Sequence, residues 1–274
     1  MQAASRQSYA AALEQLDTLA NGGASPAELR TVSDQLLAVA RLLAGQVQLR
    51  RALSDPARPG EDRAALLRGL LGRQVSDHTR ELLDTLVGGR WSSALELLEG
   101  CEQLAVQALF ASSERAGEIA EVEDELFRFS QLVAGDQQLS AALGDRRAPV
   151  EQRATLVDSL LAGKAIDTTV AAVKIALGGL GGRSVEGALI KLVEAAAERR
   201  DRSVAYVTVA TPLTDSEERR LGTALSARYG RDVSVKTTVD PRVLGGARVQ
   251  LGADLYDGTV AHRLAQARNA LASG

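Results

Sequence analysis

Apolar residues recur at helical spacing through the first 200 positions. Between Ser5 and Ala20 the stripe is Tyr9, Leu13, Leu16 and Leu19, and the cluster Asn21-Gly22-Gly23 ends it. Ser25-Pro26 opens the next helix: a serine N-cap accepts an orphan backbone N–H, and proline at the first helical position loses no hydrogen bond. That helix runs through Leu29, Val32, Leu36, Leu37, Ala40 and Leu43 to Gly45. Shorter helices are predicted around Leu49–Leu53, Pro59–Leu71 and Asp77–Val87, and a long one begins near Trp91.

The pattern then repeats. At an offset of 90 residues, the stretch from Gln48 to Leu71 has 12 identities in 24 positions, among them Asp55, Pro59, Glu61 and Arg63-Ala64. Upstream the register holds at Glu28/Glu118, Val32/Val122, Leu36/Leu126 and Gly45/Gly135, and downstream at Asp77/Asp167 and Thr79/Thr169. It slips by three where Gly88-Gly89-Arg90 matches Gly181-Gly182-Arg183. Alanine- and leucine-rich helices imitate one another cheaply, but shared charged residues, prolines and breakers mark a duplication of one helical domain.

The periodicity changes after Arg199-Arg200-Asp201-Arg202. Val204–Ala210 alternates and is β-branched, which predicts a strand. Pro212 breaks it, and Thr214-Asp215-Ser216-Glu217 has the form of a capping box opening a helix that ends at Tyr229-Gly230. Val233–Val239 and Ala247–Leu251 read as strands, and a last helix is expected from Thr259 to about Leu271. The fold class is therefore mostly α with a small α/β domain: two tandem six-helix-type bundles, residues 1–104 and 105–200, then a β-α-β-β-α module over 203–274.

Composition narrows the chemistry. Of the residues, 45 % are apolar and only 3 % aromatic, so the cores must be leucine, valine and alanine. A net charge of −3 argues against a nucleic-acid partner, which needs a basic face. Among 32 basic residues only Lys164, Lys174, Lys191 and Lys236 are lysines, a bias that codon usage explains. No run of about 18 apolar residues is present to cross a bilayer, so any membrane association is expected through a partner.

No catalytic constellation emerges. His78 and His262 are the two histidines and stand far apart, Cys101 sits in an apolar stripe, and no metal-ligand spacing occurs. The glycine run Gly178-Gly179-Leu180-Gly181-Gly182 follows no strand and lacks the Lys-Ser/Thr of a P-loop, so it reads as a helix–helix turn. No catalytic, metal or cofactor-binding residue is assigned.

The last 70 residues carry a more specific pattern. Asp240-Pro241, Gly245-Gly246 entering a strand, Val249-Gln250-Leu251-Gly252, Asp257-Gly258-Thr259 and Arg263-Leu264 resemble the C-terminal signature of the delta subunit of F-type ATP synthase, the oligomycin sensitivity-conferring protein family. Thr259 stands where that family usually has serine; both hydroxyls can cap a helix. Upstream, Tyr206–Thr214, Gly181-Gly182-Arg183 and Ala105–Phe110 are similar to the family's strand, loop and opening helix, as is Ser8–Leu13. Typical members have one bundle, and this chain has two.

The resemblance implies a non-catalytic stator subunit without cofactor, on the cytoplasmic face of the membrane as part of the ATP synthase complex. Its bundles would hold N-terminal helices of alpha subunits, and its C-terminal domain the b subunit. By analogy with the family, the alpha contacts would fall between the first and fifth helices of each bundle: Tyr9, Leu13, Leu82 and Leu86 in the first copy, and Leu109, Phe110, Val170, Val173 and Leu177 in the second. The b contact would use Val260, Leu264 and Leu271. A helical adaptor with other partners is the alternative that the residues alone leave open.

Overall fold

In the computed structural model, the residues described are 1–202, 204–229, 233–240, 242–243, 245–251 and 254–260. The chain divides into two compact units, Met1–Ala196 and Ala197–Gly274.

The first unit is all helical and its elements repeat. Helices α1 (Ala3–Asn21), α2 (Pro26–Gly45), α3 (Val47–Ser54), α4 (Gly60–Leu71) and α5 (Asp77–Gly88) precede the 22-residue α6 (Ala94–Arg115). Then α7 (Ile119–Gly135), α8 (Gln137–Gly144), α9 (Val150–Leu161) and α10 (Asp167–Leu177) follow, with α11 (Val185–Arg202) running past the unit boundary. Helices α3, α4 and α5 start 90 residues before α8, α9 and α10, so the sequence register is a structural one. The slip lies after α10, where Leu180–Gly182 forms one 3-10 turn with Gly179, Gly181 and Gly182 all at positive φ.

The duplicated residues do duplicated work. Asp55 and Asp145 each cap the turn after the short helix, accepting from the amides of Ala57 (2.9 Å) and Arg147 (3.0 Å). Gln35 and Glu125, also 90 apart, reach over to the starts of α5 and α10, accepting from the amides of Ser76 (2.9 Å) and Ile166 (3.1 Å). Arg63 and Arg153 are both buried. Arg63 donates to the carbonyls of Leu53, Gly88 and Gly89, and Arg153 to those of Leu143 and Leu177. Each arginine thus ties the short helix to the end of the fifth helix of its copy.

Two apolar cores result, and α6 belongs to both. Cys101, Leu104, Ala105, Ala108 and Ala111 face the core built by α1–α5, while Val106, Leu109 and Phe110 face the core of the second copy. Residues 104–113 are buried without interruption, as expected for a helix apolar all round. The chain therefore has no break at 104/105; one helix is the sixth of the first bundle and the first of the second. Trp91 precedes that helix rather than opening it: its ring lies against Gly100, where a Cβ would meet it at 2.4 Å, and its Nε1 donates to Leu86 O at 2.7 Å.

In the second unit, β1 (Val204–Val209), β2 (Ser234–Val239), β3 (Ala247–Leu251) and β4 (Asp254–Asp257) form a mixed sheet in the order β2-β1-β3-β4. Strand β1 is parallel to β2 and antiparallel to β3. Helix α12 (Asp215–Tyr229) supplies the crossover between the parallel pair, and starts in the Thr214/Glu217 capping box. Its Leu221 and Leu225 pack on Ala205, Val207, Val209, Val249 and Leu251. A fourth strand joins the three read from the sequence. Asp254-Leu255-Tyr256-Asp257 sets two apolar residues side by side, so no alternation announces a strand. It forms because it pairs with β3 in a register that sets Arg248 opposite Asp257. Gly230 and the helix expected from Thr259 to Leu271 lie outside the described residues except for their edge at Thr259-Val260.

Candidate functional site

Two places bear on function: the seam between the first and fifth helices of each bundle, and the corner built by the C-terminal signature. In the first copy α1 packs on α5. Thr85 Oγ1 donates across the seam to Gln15 Oε1, and Ser8 Oγ donates to Arg90 O at 2.7 Å. Leu82 and Leu86 are wholly inside, and Tyr9 and Leu13 are half-buried on its edge. In the second copy α10 packs on α6. There Leu109, Phe110, Val173 and Leu177 are core residues, and Val170 is half-buried. Of the nine expected contact residues, Tyr9, Leu13 and Val170 therefore keep exposed surface, while the other six hold the bundles together.

Larger exposed apolar side chains lie on other faces. Phe127 and Leu132 on α7 are each 52 % exposed, and Leu66 and Leu70 project from α4. None of these is among the contact residues expected from the sequence. Their signal was available: Phe127 and Leu132 fall off the buried stripe Val122, Leu126, Phe129 and Val133. Between the copies, Leu37, Ala40 and Ala44 of α2 face Val150, Ala154 and Ile175 across a cleft of about 440 Å³. Glu102 of α6 lines its floor; burial raises its pKa, against the lowering effect of the Gly181 amide that it accepts at 2.8 Å.

The signature residues assemble one corner. Asp257 Oδ1 accepts from the Thr259 hydroxyl (2.6 Å) and amide (3.0 Å), while its Oδ2 accepts from Arg248 at 3.2 Å. The Thr259 hydroxyl and then its amide, with Arg248 adding to them, hold the Asp257 carboxyl down at about 2. Gly245 and Gly246 both have positive φ, and a Cβ on Gly246 would stand 2.4 Å from Gly258 O. Gly258 N in turn donates to Ala247 O, and Val260 N to Gly245 O. Asp240 accepts from the Arg242 amide and guanidinium, all near 3.0 Å, which holds its carboxyl below the usual range. Asp257, Gly245, Gly246 and Gly258 are all used in closing the turn, and Asp240 in holding Arg242 before it. Val260 is 47 % exposed at the corner's end; Pro241, Arg263, Leu264 and Leu271 lie outside the described residues.

Chemistry has little to work with. The Cys101 thiol is buried and donates to Leu36 O at 3.5 Å, and burial pushes it up to about 12. His78 lies in the first turn of α5. Among the described residues no three His, Cys, Asp or Glu side chains are placed to hold a metal ion, and no helix is long and apolar enough to cross a membrane.

Comparison with known families fits this architecture twice over. The family described as "ATP synthase delta (OSCP) subunit" matches residues 6–105 and again 106–271. The chain belongs to the ATP synthase delta (OSCP) subunit family. Proteins named ATP synthase subunit delta align with nearly its whole length. That of Salinispora arenicola is 59 % identical over 273 residues, 99 % of each chain. That of Streptomyces avermitilis is 44 % identical over 270 residues, 98 % of each chain. That of Acidothermus cellulolyticus is 43 % identical over 276 residues and the full length of both. A delta (OSCP) subunit is a structural part of ATP synthase and carries no catalysis of its own. The division between the two matches, at 105/106, falls in the middle of α6.

Proposed function

We propose that this chain is a stator connector of ATP synthase, held peripherally on the cytoplasmic face of the membrane through its complex. Its two helical copies (1–104 and 105–200) engage N-terminal helices of alpha subunits, and its C-terminal domain (203–274) holds the b subunit. The observation that carries this reading is the signature corner, in which Gly245, Gly246, Asp257 and Gly258 serve one closed turn and Asp240 holds Arg242 before it. A part that transmits load without chemistry needs packed, hydrogen-bonded joints and an apolar surface for amphipathic helices, and half-buried Tyr9, Leu13 and Val170 support that reading.

The test is capture of the full chain by alpha and b subunits separately. Tyr9→Glu and Val170→Glu place a charge on the two seams where side chains are still accessible, so each is expected to weaken capture by alpha about tenfold or more. Leu264→Glu and Val260→Glu are expected to weaken capture by b and leave alpha capture intact. Undiminished alpha capture by the Tyr9→Glu, Val170→Glu double variant would place the alpha contact elsewhere. Binding to neither subunit would favour an adaptor with other partners.

A further inference from the structure

The glycine turn after α10 sits beside a feature that the connector role does not use. Arg146 and Arg153 meet the start of α11 at a pocket of about 260 Å³, whose wall also includes Gly179, Arg183 and Ser184. No carboxylate lines it. We propose that this pocket in the second helical copy binds a phosphoryl-type oxyanion.

Several independent observations point there. Arg153 is only 8 % exposed, yet among the described residues neither its Nη2 nor its buried Nε has a protein acceptor, since both of its bonds to carbonyls leave from Nη1. In the first copy the equivalent Arg63 is satisfied differently: its Nη2 donates to Gly88 O at 3.1 Å. The residue matching Arg146 there is Pro56, so a charge has been added in the second copy where a donor has been left open. Arg146 itself is exposed and, among the described residues, has no carboxylate partner; its bond there runs from Nη2 to Arg183 O at 3.1 Å. Gly179 allows that approach, because a Cβ there would lie 2.8 Å from Arg183 O and 3.1 Å from Arg146 Nη2.

The helix end adds to the field. Ser184 Oγ caps the Gly187 amide of α11, which leaves the Val185 and Glu186 amides without an intrahelical acceptor at the positive end of an 18-residue helix. Of the nearest counter-charges, Glu99 pairs with Arg183 at 3.7 Å and Glu186 accepts from Ser140. Asp145 pairs with Arg147 at 3.0 Å while its charge also acts on Arg153, which leaves the guanidinium groups of Arg146 and Arg153 for the pocket. Planar guanidinium forks with open donors suit an oxyanion that can accept several hydrogen bonds at once. A single carboxylate offers fewer acceptors for two arginines and the helix amides.

Inorganic phosphate titrated into the purified full chain, followed by ³¹P NMR and by equilibrium dialysis at fixed ionic strength, is the direct test. Saturable binding at about 1 mM or tighter is expected, with acetate at least about tenfold weaker. Arg146→Glu and Arg146→Gln change an exposed side chain and should keep the helical circular dichroism while weakening phosphate binding about tenfold or more. Arg219→Glu, on α12 of the other unit, removes as much charge and should leave binding unchanged. Absence of saturable binding, equal binding of acetate, or equal losses in the Arg146 and Arg219 variants would each overturn the proposal.

Discussion

Buried arginines do work in this protein that their number in the sequence conceals. Arg63 satisfies three carbonyls with its terminal nitrogens and Arg153 two. A methionine would fill much of the same space but leave those carbonyls in the core without donors, at about 1–3 kcal/mol each. Arg63→Met is therefore expected to destabilise the protein by about 3 kcal/mol or more, and Arg153→Met by less, in urea unfolding followed by circular dichroism. The pairing of the two positions at 90 residues was legible in the sequence; their burial was not, because arginine is ordinarily a surface residue and an arginine-rich composition has a cheaper explanation. Cys101 was legible as a core residue from its stripe. With its thiol at about 12 and enclosed, it should react with a thiol reagent only at the rate of unfolding, which the time course of labelling in native buffer and in denaturant checks.

Asp257 sets a pH dependence of known sign. Its folded pKa is depressed, so the corner gains stability from the ionised carboxylate above the ordinary value of 3.8 and loses it as pH falls toward about 2. Asp257→Asn should accordingly melt below the wild type at neutral pH, and the gap between their melting curves should narrow below pH 4 and close near pH 2. A gap independent of pH would mean that the charge contributes nothing there.

Elements were readable to different degrees. The helices of the first unit followed from a 3.6-residue period with clear caps, and Ser25 indeed closes a capping box with Glu28. The exit of the chain from β3 was harder, since β4 exists through pairing and not through its own pattern. The glycine pair before β3 explains itself once the corner is seen: Gly246→Ala would drive a Cβ into Gly258 O from a left-handed backbone. A loss of about 1–3 kcal/mol or more is expected, confined to the C-terminal unit and visible as faster hydrogen exchange in β3 with helical exchange unchanged.

For the whole molecule, the duplication was plain in the sequence and the sharing of α6 was not. A period of 90 residues finds two copies, but only packing shows that they overlap. Both cores draw on residues 104–111 from opposite faces of one helix. A fragment ending at residue 104 lacks Ala105, Ala108 and Ala111 from its core, whereas one ending at Arg115 keeps the helix whole. The shorter fragment is expected to melt without cooperativity and the longer one to show a two-state transition in thermal circular dichroism. The seams expected to make contacts were the least legible part: whether an apolar residue lies inside a bundle or on its surface depends on neighbours in the fold, and six of the nine positions expected there are interior.

The shared helix also sets a phase. An α-helix turns 100° and advances 1.5 Å with each residue. One residue inserted into the middle of α6 would swing every later groove of the unit by more than a quarter turn about that axis, whereas a deletion in the α7–α8 or α9–α10 turn would be absorbed locally. Length variation along the chain is thus permitted in the hairpins and forbidden in the shaft, and the angle between the two sets of grooves is written into a residue count.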